Sequence, residues 1–374
     1  MLLLIFRSTS RKPVLIAGNG IREAGAAGLL KEFMDKTRIP VLTTMNAVDL
    51  VQDKEKLGFI GVYGNRIANM VAAEADLVIS VGARLGIRQI GNKPEYFAPK
   101  AFLIRADVDQ YELSRNIKED EEKHLIDAKE FFKNLLDEDI SYYAGWHDKC
   151  FEAKEILAPF DKELGNYCIE AISGQLPENP IVAVDVGQHQ CWSAQSLVLK
   201  GNKGRILIGG SYGSMGCGLP YAIGASFAAD RGIVYCITGD GGLQMNIQEL
   251  QVVASEKLPI KIIVINNRVL GKISEIQAGY YNGRFCITTP DSGYTVPDFE
   301  KVAKAYGIKS KTLTSFSDIS GCKDWLYDNE PCLVNIILPE DTLLLPKMNW
   351  NQKDMFPALD NEVISKVLDI LGDA

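Results

Sequence analysis

The chain lacks the paired cysteines that organise a metal or a disulfide framework. Its eight cysteines are scattered, none forms a CxxC pair, and only three histidines accompany them. That pattern excludes a clustered zinc site or disulfide scaffold and predicts a reduced, cytoplasmic setting. Positive charge is also short, since 40 lysines and arginines against 48 acidic residues leave a net charge of -8. No basic face interleaved with aromatics is present to neutralise a phosphate backbone, which removes nucleic acid from the partner classes. Long apolar runs are missing too. The opening MLLLIFR holds five apolar residues between Met1 and Arg7, too few for a signal peptide's apolar region or a membrane span. No later run reaches about 18 apolar residues, so no membrane partner is expected. The opening reads as a strand or helix cut off from something upstream.

What the chain has is length and alternation. Its 374 residues, 47% of them hydrophobic, suffice for two domains with separate cores. PVLIAGNG, DLVISVGARL and AFLIRADVD read as buried strands ending in glycine or acidic turns, with amphipathic helices at EAGAAGLLKEFMDKT, NRIANMVAAEA and DAKEFFKNLLDE. A mixed, charged and aromatic stretch follows, after which a second alternation runs from NYCIEAISGQL to PCLVNIIL. The strands lack polar alternation, as expected when both faces of a parallel sheet are covered. The fold class is therefore α/β: two doubly wound domains with mostly parallel sheets covered by helices. The expected boundaries are 1–137 and 163–374, with a linker over 138–162.

Ligands of such sheets bind beyond the carboxyl ends of the strands. GDGG, residues 239–242, closes the apolar run VYCIT, and NN closes IKIIVI, placing Asp240 and Asn267 at two strand tips. The separation of 27 positions leaves room for one loop, one helix and a return strand, so their side chains can converge. An Asp carboxylate, an Asn amide oxygen and a backbone carbonyl are hard donors that suit Mg²⁺ and leave coordination positions for phosphate oxygens. Gly241 and Gly242 offer no side chain to obstruct a phosphate approaching a helix start. Taken singly, each motif is more often a plain turn. Their joint occurrence at strand ends points to a diphosphate held through a metal.

GDG followed by 24 residues and NN is similar to the signature of thiamine diphosphate-dependent enzymes, and GDGGLQMNIQEL with LPIKIIVINN resembles acetolactate synthase large subunits in particular. VDVGQHQCWSAQ and GGSYGSMGCGLPYAIGA agree, as do GFIGVYGNRIANMVAAEADLVISVGARLGIRQIG and FAPKAFLIRADVDQYELSRN in the first half. The resemblance covers nearly the whole chain. It implies thiamine diphosphate and Mg²⁺ as cofactors, with Asp240, Asn267 and the Val269 carbonyl on the metal. Gly187, Gln188, His189 and Gln190 would contact the diphosphate, with Gly213, Gly241 and Gly242 beside it. Met215 would sit under the cofactor and set its bent shape. Relatives often carry Ser where Gly242 stands, so one hydroxyl contact is missing here.

The same resemblance implies that the activating Glu belongs to an N-terminal pyrimidine-binding domain preceding the matched segment. None of the chain's own acids is expected in that role: Glu249 falls on the helix after GDGG, where it reads as solvated or capping, and Glu275 lies in the mobile segment after NN with no partner that the sequence indicates. Acetolactate synthases carry an apolar residue where Lys272 stands and a Trp where Ile276 stands. With GARLGIRQIG and DMFPALDNE, this looks more like relatives that transfer a pyruvate-derived unit to a nucleotide-linked ketosugar. Gly64 and Arg84 correspond to flavin positions, making FAD a further candidate cofactor, although Gly86 and Ile87 replace an acidic pair. The expected function is a pyruvate or other 2-oxo-acid decarboxylase and carboligase in a homo-oligomer, completed by a pyrimidine-binding domain. The competing expectation is a non-catalytic cofactor-binding partner or remnant.

Overall fold

The computed structural model describes residues 10–119, 121–210, 212–348 and 355–372. The opening segment 1–9 lies outside them, as does Asp354 at the head of the DMFPALDNE tail. The chain divides into two compact units: residues up to Lys162 together with those from Leu345 onward, and Glu163–Leu344.

In the first unit, β1 (Pro13–Ala17), β2 (Val41–Thr43), β3 (Gly58–Phe59), β4 (Leu77–Val81), β5 (Phe102–Asp107) and β6 (Glu121–Leu125) form a parallel sheet in the order β3-β2-β1-β4-β5-β6. Strand side chains feed two separate cores. Leu15 and Ala17 pack with Phe33 of the Ala27–Thr37 helix and with Phe131 and Phe132 of the Ala128–Leu136 helix. Val14 and Ile16 pack with Ile67 and Val71 of the Arg66–Glu74 helix. Consecutive residues of one strand thus enter opposite cores, which is why its sequence is continuously apolar. In this sheet the strands that sequence periodicity missed are β2 and β3, too short to show a period, and β6, a charged edge strand reading EEKHL.

Where β1 ends, Gly18 lies against the β4 turn: a Cβ there would stand 1.9 Å from the Gly82 carbonyl oxygen and 2.3 Å from the Ala83 Cα. Neither backbone can withdraw cheaply. Gly18→Ala is therefore expected to destabilise this unit by about 1–3 kcal/mol. Gly28→Ala, on a helix with nothing within 4 Å of the new methyl, is expected to stabilise it by about 0.5–1 kcal/mol. Chemical denaturation separates the two, and shifts of equal sign would contradict the packing.

The segment expected as a linker is structured and belongs to this first unit. Its Ala144–Leu157 helix buries Trp146, Cys150, Ala153 and Leu157 along one face, and Trp146 Nε1 donates to the Pro13 carbonyl at 3.0 Å. Asp161 accepts the Arg66 backbone N–H at 3.0 Å. The chain's last helix, Asn361–Gly372, also returns to this core through Val367 and Leu371. A second domain running from 163 to the C-terminus is thus replaced by one ending at Leu344. The reason is packing: the apolar stripes of these two helices find their partners in the first core.

In the second unit, β7 (Ile181–Val184), β8 (Arg205–Ile208), β9 (Val234–Gly239), β10 (Ile260–Asn266), β11 (Lys309–Leu313) and β12 (Cys332–Ile337) are again all parallel, in the order β11-β12-β10-β9-β7-β8. From β7 the chain goes to β8 on one side and then to β9 on the other. The β7/β9 junction is therefore the switch point, where loops diverge and leave a crevice. Among the described residues, no helix is long and apolar enough to cross a membrane.

Candidate functional site

The loops after β7, β9 and β10 surround a pocket of about 300 Å³. β9 and β10 pair with Gly239 opposite Ile265, so Asp240 and Asn267 emerge from neighbouring strand ends. Asp240, Asn267 and Val269 all line the pocket and all are buried. Gly187, Gln188, His189, Gly213, Met215, Gly241 and Gly242 line it as well. Gln190 does not join them; its amide is turned away to donate to the Gly209 carbonyl at 3.1 Å. Lys272, which stands where acetolactate synthases carry an apolar residue, is among the lining residues.

The Asp240 carboxylate is held by three donors: the Gly241 N–H at 2.6 Å, the Arg268 N–H at 2.7 Å and the Tyr294 hydroxyl at 2.9 Å. Burial nonetheless pushes its pKa up to about 6, outweighing those bonds. Such a carboxylate gains most from a cation placed beside it. His189 is pushed down to about 4, chiefly by burial and despite nearby Asp185. It is therefore a neutral imidazole at neutral pH. His189 lines the pocket, and its Nε2 is buried without a hydrogen-bond partner among the described residues, which suits a polar ligand. Gly187 begins the Gln188–Ser196 helix, and a Cβ there would meet the His189 ring at 2.5 Å. That helix directs its first-turn N–H groups beyond the strand end, an arrangement that favours anions.

One residue not nominated from sequence organises this floor. Asp185, nearly fully buried, accepts from the Val186 N–H at 2.7 Å, the Gly216 N–H at 2.9 Å and the Thr238 hydroxyl at 2.9 Å. It joins β7, β9 and the turn that carries Met215. A Cβ at Gly242 would fall 2.2 Å from Asp185 Oδ2, so the missing side chain there leaves room for this carboxylate. Across the pocket, a Cβ at Gly241 would lie 3.8 Å from the Met215 sulfur. Asp185 carries the same signal as Asp240, an acid at the end of an apolar strand. Tyr294 and Glu275 come from segments whose placement no periodicity reveals.

The FAD expectation concerns the first unit. A cleft of about 560 Å³ at its strand ends is lined by Arg84, but Gly64 is not among the lining residues. Glu23, Asp107, Asp109, Glu112 and Asp127 surround it, and Arg84 Nε is paired with Glu112 at 2.7 Å. The N–H groups of Gly18, Gly20, Ile21 and Arg22 already donate to backbone carbonyls. At this turn those four amides are engaged within the protein, and the Arg84 pair with Glu112 is a solvent-exposed one.

Comparison with known proteins agrees with both halves. Residues 185–336 match the model for the thiamine pyrophosphate enzyme, C-terminal TPP binding domain, and residues 7–135 that for the thiamine pyrophosphate enzyme, central domain. The chain is 33% identical over 354 residues to an acetolactate synthase large subunit from Lactococcus lactis, covering 92% of this chain and 60% of that protein. It is 31% identical over 341 residues to the acetolactate synthase isozyme 2 large subunit of Escherichia coli, covering 88% and 60%. A probable acetolactate synthase large subunit from Methanocaldococcus jannaschii is 33% identical over 349 residues, covering 88% and 58%. The chain thus spans about 60% of the length of these curated relatives.

Proposed function

Since the chain belongs to the thiamine pyrophosphate enzymes, with the central and C-terminal domains of that family, we propose that the second unit binds thiamine diphosphate through Mg²⁺ held by Asp240, Asn267 and the Val269 carbonyl. The reaction is acetolactate synthase-like: decarboxylation of pyruvate or another 2-oxo acid and ligation of the remaining fragment to an acceptor carbonyl. The observation that carries this reading is the meeting of those three residues with the unpartnered His189 Nε2 in one pocket at the switch point.

When bound, the cofactor would supply a thiazolium ring whose acidic carbon is nucleophilic toward a carbonyl once deprotonated and whose cationic nitrogen can take up the electron pair left by loss of CO₂. The protein's share is positioning and electrostatics. Asp240 contributes negative charge to the cation, while Asn267 and the Val269 carbonyl add neutral oxygens. His189, neutral, offers Nε2 for one hydrogen bond without bringing charge to the diphosphate. Trp192, Ile265 and Leu270 give the pocket apolar walls that limit water, and Met215 bounds its open side.

The nearby carboxylates have other work. Asp185 ties strand ends together, Asp240 faces the metal position, and Glu275 accepts from the Gln188 amide. We therefore assign the activating carboxylate to a pyrimidine-binding domain facing this unit, in an assembly of at least two partners.

Calorimetric titration of the chain with thiamine diphosphate, with and without Mg²⁺, followed by a pyruvate-consumption assay, tests the proposal. Binding should require Mg²⁺, and turnover should rise by about 10²-fold or more when a pyrimidine-binding domain is supplied. Absence of Mg²⁺-dependent binding in both conditions would remove the site.

A further inference from the structure

Resting on that metal assignment, we propose that Gln188 and Glu275 are positioning residues that together set which end of the Asn267 amide faces the cation. An asparagine side chain can ligate a metal only through Oδ1; rotated by half a turn, it presents an NH₂ group instead. Something must therefore decide its orientation, and the hydrogen bonds around it do so in sequence.

Gln188 Nε2 donates to Glu275 Oε1 at 2.9 Å and to the Thr342 carbonyl at 3.2 Å. Both partners are acceptors, so the glutamine NH₂ group must face them and its Oε1 must face the other way. There it accepts from Asn267 Nδ2 at 3.1 Å. The asparagine NH₂ group is consequently held on the Gln188 side. Its Oδ1 is left toward Val269, whose N–H lies 3.3 Å from it and whose carbonyl is the third proposed ligand. Polarity is thus passed from Glu275 through one amide to the next.

The surroundings leave Gln188 little freedom. It is buried, and a Cβ at Gly271 would lie 2.0 Å from its Oε1. Gly271 opens the Gly271–Tyr280 helix, which also carries Glu275. The same helix therefore supplies both the space for Gln188 and the acceptor that orients it. With both amide hydrogens of its side chain so engaged, the Gln188 amide group acts toward the metal position through Asn267.

Binding of Mn²⁺ to the full chain in the presence of thiamine diphosphate, followed by the electron paramagnetic resonance signal of free Mn²⁺, tests the relay. Glu275→Ala and Gln188→Leu are expected to weaken Mn²⁺ binding by about tenfold each, because a hydrogen bond to a buried amide is lost. Glu275→Gln, whose amide oxygen still accepts, should stay within about threefold of the parent. The metal-free melting temperatures of the Glu275 variants should remain close to that of the parent, which a purely structural role would not require. Wild-type affinity in Glu275→Ala, or equal weakening in Glu275→Ala and Glu275→Gln, overturns the relay while Asp240-dependent binding of the parent still stands. If the parent shows no Mn²⁺ binding that Asp240→Asn removes, the metal assignment fails and the relay with it.

Discussion

Asp240→Asn is expected to weaken Mg²⁺-dependent thiamine diphosphate binding by about 10²-fold or more, with little change in the stability of the cofactor-free protein. The carboxylate is the only charged member of the proposed ligand set. Removing one side of a buried charge pair costs about 3–5 kcal/mol, and each 1.4 kcal/mol is about tenfold in affinity. Without the cation, however, Asp240 is already disfavoured as an anion, because burial pushes it up to about 6. Asparagine keeps its shape and relieves that burden, at the loss of one acceptor for the Gly241 N–H, the Arg268 N–H or the Tyr294 hydroxyl. The two effects are comparable, so thermal unfolding of the apoprotein should move by only a few degrees. Calorimetry and thermal melts on the same samples provide both readings. Unchanged Mg²⁺-dependent affinity would place the cation elsewhere.

The second large effect is structural. Trp192→Ala is expected to destabilise the second unit by about 3–5 kcal/mol. The indole is among the largest fully buried side chains, at 1% exposure. It also lines the cofactor pocket on one side. On the other, the Leu164–Gln175 helix lies so close that a Cβ at Gly165 would stand 2.2 Å from the ring. A glycine there lets the helix backbone reach the indole face, leaving little room for surrounding groups to relax into the void. Trp192→Phe should cost less than half as much, because most of the volume remains. Hydrogen exchange of the β9 and β10 amides, which reports this unit without mixing in the other, measures the loss. A change below about 1 kcal/mol in Trp192→Ala would contradict the close packing of helix and ring.

The residues of the site were legible in unequal degree. Asp240 and Asn267 were readable because each ends an apolar run and because parallel strands bring such ends to one edge. Asp185 obeys the same rule, closing the apolar run IVAV, and stands inside the GQHQ-bearing motif. Gln190 shows the opposite failure. It shares the motif with Gln188 and His189, yet its amide goes to the Gly209 carbonyl and away from the pocket. Neighbours at the start of a helix point in different directions, about 100° apart, so a contiguous motif does not imply contiguous contacts. Glu275 lies after NN in a segment where the sequence indicates no partner for it; its bond to Gln188 spans 87 positions, a separation at which no local pattern carries information.

The boundaries divided in a similar way. The junction near residue 162 was visible as a change of texture between two alternations. The destination of the final 30 residues was not. An amphipathic helix such as Asn361–Gly372 announces that it needs an apolar partner, but several apolar surfaces in a two-unit chain would serve.

The sequence by itself determined two parallel, helix-covered sheets and the residue types at their strand ends, because continuous apolar runs, glycine turns and hard oxygen donors are local properties of the chain. Only the tertiary structure decided which donors share the pocket, which partners the two ends of the Asn267 amide take, and which core receives the C-terminal helix. Those outcomes depend on hydrogen bonds and contacts between residues far apart in the chain, where the deciding quantity is a distance of about 3 Å and not a residue type.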